Sequence, residues 1–262
     1  MKISVIVPSN DKRRMNSFIR RFDKMKTFKN KVTLVIVCNG GLKSSDLIVK
    51  PYIHTVDSNE CNDTDKAIIP FAKLRGLGMK SVKADWFLFL DDDHEFNDNA
   101  NKNLLHSIEF LKTHKDCGVL QLEKDNKEKI GFYIKKNAHI WTSRGCFIKN
   151  IDFDYDKFDK LVGACEELLF AYTVLYEGFI PYCIWNSGIS RNSPVENSKL
   201  GKRHKEFNDI SYLEKTLDDN IIGYIRELYG DKDWQFYGKL SNLTYPNDLR
   251  QRIKSRLSNI II

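Results

Sequence analysis

Over the first hundred residues, short apolar runs alternate with stretches of helical periodicity. Residues 3–7 (Ile-Ser-Val-Ile-Val) are rich in β-branched side chains and are closed by Pro8-Ser9-Asn10-Asp11, which predicts a buried strand ending in a turn. From Lys12 to Thr27 the spacing changes. Met15, Phe18, Ile19 and Phe22 fall on one face of a helix, with Ser9, Asn10 or Asp11 available to cap it. Residues 32–37 form a second apolar run, stopped by Cys38-Asn39-Gly40-Gly41, and residues 52–56 a third. Residues 67–83 read as a helix weakened by Pro70, Gly76 and Gly78. Residues 86–90 (Trp-Phe-Leu-Phe-Leu) are a fourth strand that runs straight into Asp91-Asp92-Asp93-His94.

Nearly all-apolar strands alternating with helices predict an α/β fold: a mostly parallel, Rossmann-like sheet covered on both faces. Such sheets take ligands in the crevice beyond the carboxyl ends of their strands. The turns at residues 8–11, 38–41 and 91–94 are therefore expected side by side at one edge. Past residue 100 the alternation loosens. Residues 104–113 read as a helix and 118–122, 131–134 and 141–148 as strands. Residues 166–176 read as a helix ended by Gly178, and 180–185 as a strand. Residues 186–204 read as a long polar loop, and 206–229 and 247–259 as helices. The expected organisation is one domain over 1–205 and a helical extension over 206–262.

Composition narrows the class. A chain of 262 residues, 42% hydrophobic and 29% charged, can bury a full core without staples and reads as a soluble globular protein. No apolar run nears the roughly 20 residues that span a bilayer, and the start lacks a signal-peptide pattern, so the cytoplasm is the expected compartment. The six cysteines include no Cys-x-x-Cys pair, which predicts free thiols. Charge is uneven: residues 1–83 carry 17 Lys/Arg against 7 Asp/Glu, whereas 84–198 carry 13 against 19. An acidic middle beside a basic flank suggests a carboxylate-lined site near an anion-attracting surface.

The sharpest chemical feature is Asp91-Asp92-Asp93. Three adjacent carboxylates at the end of a buried strand repel one another, and a divalent cation such as Mn²⁺ or Mg²⁺ would compensate them and in turn hold a diphosphate. His94 follows directly, and two readings stay open for it: a further metal ligand, or a structural side chain turned away from the carboxylates.

Three stretches together resemble a family 2 glycosyltransferase of the GT-A fold: ISVIVPSN at residues 3–10, the turn Cys38-Asn39-Gly40-Gly41, and AKLRGLGMKSVKADWFLFLDDDHEF at residues 72–96. The likeness covers roughly residues 1–185. It implies a nucleotide-sugar-binding half over 1–100, an acceptor-binding half over 101–205, and an Asp-x-Asp motif at 91–93. It further implies donor contacts from Pro8, Ser9, Asn10, Asn39, Arg75, Asp91 and Asp92, and metal ligation by Asp91, Asp93 and a later His204. The family's acidic pair at the start of a later helix corresponds to Glu166-Glu167, which implies that Glu167 is the general base and that transfer inverts the anomeric centre. The chain departs from the family pattern in having Cys38-Asn39 where an acid usually follows strand two, Gly76 where Asn is usual, and Glu rather than Asp at 167. Trp141, Arg144 and Trp185 are candidates for an acceptor platform, since sugars and bases stack on aromatic faces.

For the acceptor, three readings stay open. Residues 12–31 hold nine Lys/Arg and one acid, and Arg13, Arg14, Arg20, Arg21, Lys24 and Lys26 are expected on an exposed side. Leu249, Ile253, Leu257 and Ile260 form an apolar stripe interleaved with basic residues. That stripe suits docking on its own domain, or peripheral contact with the inner face of a membrane where a glycan or lipid-linked acceptor is built. The basic surfaces equally suit DNA carrying a hydroxylated base. A nucleotidyl transferase would show a glycine-rich phosphate loop after strand one, and Pro8-Ser9-Asn10-Asp11-Lys12 is not one. A non-catalytic nucleotide-binding domain is the remaining alternative.

Overall fold

The computed structural model describes residues 1–58, 71–122, 132–136, 145–153, 155, 170–171, 173–174 and 177–191. Its centre is an eight-stranded sheet. The strands in chain order are β1 (Ile3–Ser9), β2 (Val32–Cys38), β3 (Ile53–Asp57), β4 (Trp86–Phe89), β6 (Cys117–Leu122), β7 (Tyr133–Lys136), β8 (Cys146–Lys149) and β9 (Ile180–Trp185). They lie in the order β3-β2-β1-β4-β8-β6-β9-β7. The pairs β1–β2, β1–β4, β2–β3 and β6–β9 are parallel. The pairs β4–β8, β6–β8 and β7–β9 are antiparallel, so the sheet is mixed, though mostly parallel in its first half. A separate ribbon pairs β5 (His94–Phe96) with β10 (Ile189–Arg191), antiparallel, with His94 opposite Arg191.

Alternation along each strand feeds two cores. Val5, Val7, Leu34, Ile36, Leu88 and Leu90 face one side, together with Phe18 and Phe22 of α1 (Lys12–Asp23) and Leu104 and Leu111 of α3 (Ala100–Thr113). Ile6, Val35, Val37, Phe87 and Phe89 face the other, against α2 (Phe71–Lys80) and Phe170. Burial on both faces is why these strands carry no polar alternation. Gly78 is what lets α2 lie so close. A Cβ there would come within 2.8 Å of Ile6 Cγ2 and 3.0 Å of Val37 Cγ2.

α1 begins where Asp11 caps it, its carboxylate accepting from the Arg14 N–H at 2.9 Å. The helix ends at Asp23, one turn before the expected Thr27. Residues 186–204, read as a loop, contain β10. The expected strand at 141–148 appears as Cys146–Lys149. Of the expected helix at 166–176, residues 170, 171, 173 and 174 are described, and they are helical. Cys38, Cys117, Cys146 and Cys183 are buried free thiols. No helix among the described residues is long and apolar enough to cross a membrane.

Candidate active site

The chain runs β1-β2-β3 to one side of the first strand and then returns to place β4 on the other. This is the switch point at which α/β sheets open a crevice. The turns after β1, β2 and β4 meet there, as the sequence predicts. The Asn39 N–H donates to Ser9 O at 2.9 Å and locks the second turn to the first. Gly40, at φ +59°, supports the same contact, because a Cβ would sit 3.1 Å from Asn10 Cβ. Pro8, Ser9 and Asn39 are buried, whereas Asn10 is exposed at the rim.

The turn after β4 closes through His94 N–H donating to Asp91 O at 3.2 Å. The Asp91 N–H donates to His94 Nδ1 at 2.8 Å, which pulls the imidazole into the turn. One ligand atom each from Asp91, Asp93 and His94 lie within 4.8 Å of one another. Of the two arrangements open to His94 from the sequence, its ring takes the one turned toward the carboxylates. Two carboxylates and an imidazole at that spacing are a chemically suitable donor set for a divalent cation.

The central aspartate does something else. Asp92 is buried, accepts from Ser9 Oγ at 2.6 Å, and pairs with Arg14 Nη2 at 2.8 Å. Burial pushes its carboxyl up to about 6, with the Ser9 hydrogen bond and Arg14 pulling the other way. Asp91 is held from beneath by Arg75, whose Nη2 lies 2.9 Å from Asp91 Oδ1. Arg75 is itself only 1% exposed. It donates from Nη1 to Ile6 O and Leu90 O, and lies over the Phe89 ring at 4.8 Å.

α1 contributes two further arginines that sequence reasoning placed on an exposed side. Arg21 Nη2 donates to Asp92 O at 3.0 Å and its Nε to His94 O at 3.2 Å, so it braces the turn's backbone. Arg14 reaches Asp92 and, at 3.8 Å, Asp93 Oδ2. Both sit on the helix flank between the apolar stripe and the outward face, seven residues apart. That spacing was the available signal, but from sequence alone it does not separate a bracing flank from a solvated one. Arg13, Arg14, Arg20, Lys24 and Lys26 are exposed as expected, and Arg21 is partly buried.

No family model matches the chain, and no curated protein does. Solved structures do match. Residues 1–349 of TarS from S. aureus superpose with a TM-score of 0.55 at 16% identity, over 92% of this chain and 74% of that one. The same protein in complex with UDP-GlcNAc gives 0.52 at 12% identity, with the same coverage. The mannosyltransferase PcManGT from Pyrobaculum calidifontis, in complex with GDP-Man and Mn²⁺, gives 0.52 at 12%, over 82% of this chain and 63% of that one. The fold is the GT-A glycosyltransferase fold. At these identities the likeness is one of architecture. The chain also spans only 44% of the longer TarS structure.

Within the GT-A frame, the described residues bring together Pro8, Ser9, Asn10, Asn39, Arg75, Asp91, Asp92 and Asp93. Trp185 ends β9, opposite Tyr133 of β7. Glu166, Glu167, His204, Trp141 and Arg144 lie outside the described residues, as does the 206–262 extension.

Proposed function

We propose that this chain is a family 2 glycosyltransferase that moves a sugar from a nucleotide-sugar donor, UDP-linked by preference, to an acceptor hydroxyl with inversion. One observation carries the reading: Asp91, Asp93 and His94 converge at the switch point of a GT-A sheet, beside the turns at Ser9 and Asn39. The carboxylates suit Mn²⁺ or Mg²⁺, and the imidazole tilts the set toward Mn²⁺. Such an ion supplies charge neutralisation for a departing diphosphate. The ligands bound in the two neighbours named above support the donor class.

In this reading the residues divide the work. Pro8 and Ser9 shape the floor of the nucleobase pocket, and Asn10 and Asn39 border it, with the Asn39 amide suited to a base edge. Arg75 and Asp92 act on the turn that carries the ligands, and Asp91 and Asp93 face the donor. Glu167, aided by its neighbour Glu166, accepts the acceptor's proton as the hydroxyl oxygen attacks the anomeric carbon and the glycosyl–phosphate bond breaks. His204 adds a ligand, and Trp141, Arg144 and Trp185 hold the acceptor, a glycan or lipid-linked saccharide. The outward cations Arg13, Arg20 and Lys24 support a second reading, in which the acceptor is a hydroxylated base in DNA. Acceptor affinity falling steeply with salt on duplex DNA would favour that reading.

A thermal-shift screen of UDP- and GDP-sugars with and without Mn²⁺ tests the donor half. One donor should stabilise the protein only when metal is present, and no shift with any donor rejects the reading. E167Q tests the base. Donor binding should persist while turnover falls about 10²–10⁴-fold, and unchanged turnover removes Glu167 from the mechanism.

A further inference from the structure

Arg14 stands in an unusual relation to the carboxylates. Its side chain is half-exposed at 50%, yet its Nη2 lies 2.8 Å from Asp92 Oδ1 and 3.8 Å from Asp93 Oδ2. Its origin is fixed, because Asp11 caps α1 by accepting from the Arg14 N–H. The neighbouring arginines are engaged differently. Arg75 is buried against Asp91, and Arg21 faces the backbone carbonyls of Asp92 and His94. Arg14 therefore brings a solvent-accessible, rotatable positive charge to a carboxylate that is also one of the gathered donor atoms.

A cation at that distance lowers the negative potential that would attract a metal ion and competes for the same carboxylate. We propose that Arg14 is a resident counter-ion of the Asp91–His94 turn, one that shields Asp92 and Asp93 in the metal-free protein and must yield Asp93 when a divalent cation binds. The inference rests on the metal-dependent reading above. It gives the site a threshold. Metal binds weakly until Arg14 lets go, and a diphosphate arriving with the metal offers Arg14 a new anionic partner at the same edge. Metal and donor then bind each other's form of the protein more tightly than either binds alone.

The test is Mn²⁺ affinity of the full chain without donor, read by electron paramagnetic resonance of free Mn²⁺. A merely structural role for Arg14 and a competing role predict opposite signs. If Arg14 only braces the turn, R14Q loosens the ligands and weakens Mn²⁺ binding. If it competes, R14Q tightens binding by about ten-fold, because a part-exposed charge is screened well below its low-dielectric strength. R14K, which keeps the charge, should stay near wild type. R14A must behave as R14Q does, and non-denaturing guanidinium added to R14A should weaken Mn²⁺ binding again. Mn²⁺ affinity in R14Q and R14A that equals or falls below wild type overturns the counter-ion role. Absence of Mn²⁺ binding in every variant overturns it too, with a different signature, because the metal-dependent reading then fails first.

Discussion

Arg75 and Asp91 form an ion pair in which one partner is sealed in the core and the other stands at the rim: Nη2 to Oδ1 is 2.9 Å, with side-chain exposures of 1% and 20%. The pair sets the height of the Asp91 carboxylate from below the sheet edge. Truncating the buried partner removes a charged donor from the Asp91 carboxylate and from the Ile6 and Leu90 carbonyl oxygens. R75A should cost about 3–5 kcal/mol, measured by urea unfolding. A loss under about 1 kcal/mol, the range of a surface pair, would show that Arg75 does not anchor the turn.

Asp92 makes stability depend on pH in the direction opposite to most paired carboxylates. Its pKa rises from 3.8 to about 6 on folding, so the folded protein holds the proton more tightly than the unfolded chain. The associated stability is complete below the unfolded value and is lost as pH climbs through about 6. Metal-free protein should lose roughly 1–3 kcal/mol across that window, and D92N should flatten the slope. Urea denaturation curves taken between pH 4 and pH 7 measure it, and a wild-type slope unchanged in D92N would exclude Asp92 as its source.

Asp23 works the other way. Lys29, Tyr52 and Lys50 hold its carboxyl down to about 2, with the Lys29 hydrogen bond the leading cause. Its contribution is present above the unfolded value of 3.8 and disappears as pH falls toward 2. The side chain is about one-third exposed, and solvent screening limits the effect to about 1 kcal/mol. D23N should lose that much at pH 7 and match wild type near pH 2. Equal stabilities at pH 7 would show that the cluster contributes nothing.

The two glycines of α2 should respond oppositely to alanine. Among the described residues, a Cβ on Gly76 meets only Tyr155 Cδ1, at 3.5 Å, an ordinary contact, so G76A should gain up to about 1 kcal/mol of helix propensity. A Cβ on Gly78 would collide with Ile6 and Val37 of the sheet, and G78A should lose about 1–3 kcal/mol. Thermal unfolding of both variants is the measurement. A stabilised G78A would mean that α2 can lift off the sheet without penalty.

The first hundred residues were legible because each signal there is redundant. Strands β1, β2 and β4 are continuous apolar runs with turn residues at their ends, and α1 repeats its apolar positions over three turns. The short ribbon was not legible. His94–Phe96 and Ile189–Arg191 are three residues each, too few to show a period, and they pair from more than ninety residues apart in the chain. The place of His94 follows from that ribbon and from the hydrogen bond to Asp91, neither of which leaves a mark in composition. Asp91, Asp92 and Asp93 are the same residue type three times over. That Asp92 turns to Ser9 while Asp91 turns to Arg75 is decided by which partner lies across the sheet edge from each. Arg14 and Arg21 were hidden by their own side chains, since a long flexible cation on a helix flank fits bulk water as well as a carbonyl.

The β5–β10 ribbon joins stretches that belong to different halves of the expected domain, one before residue 100 and one after it. His94 is carried by the first and propped by the second. The turn that gathers Asp91, Asp93 and His94 lies wholly in the first half, but the strand that pairs with His94 lies in the second. Splitting the chain between them should therefore leave those three side chains in one fragment without the strand that steadies them, and mixing the fragments should restore their arrangement only as fast as that small ribbon re-forms.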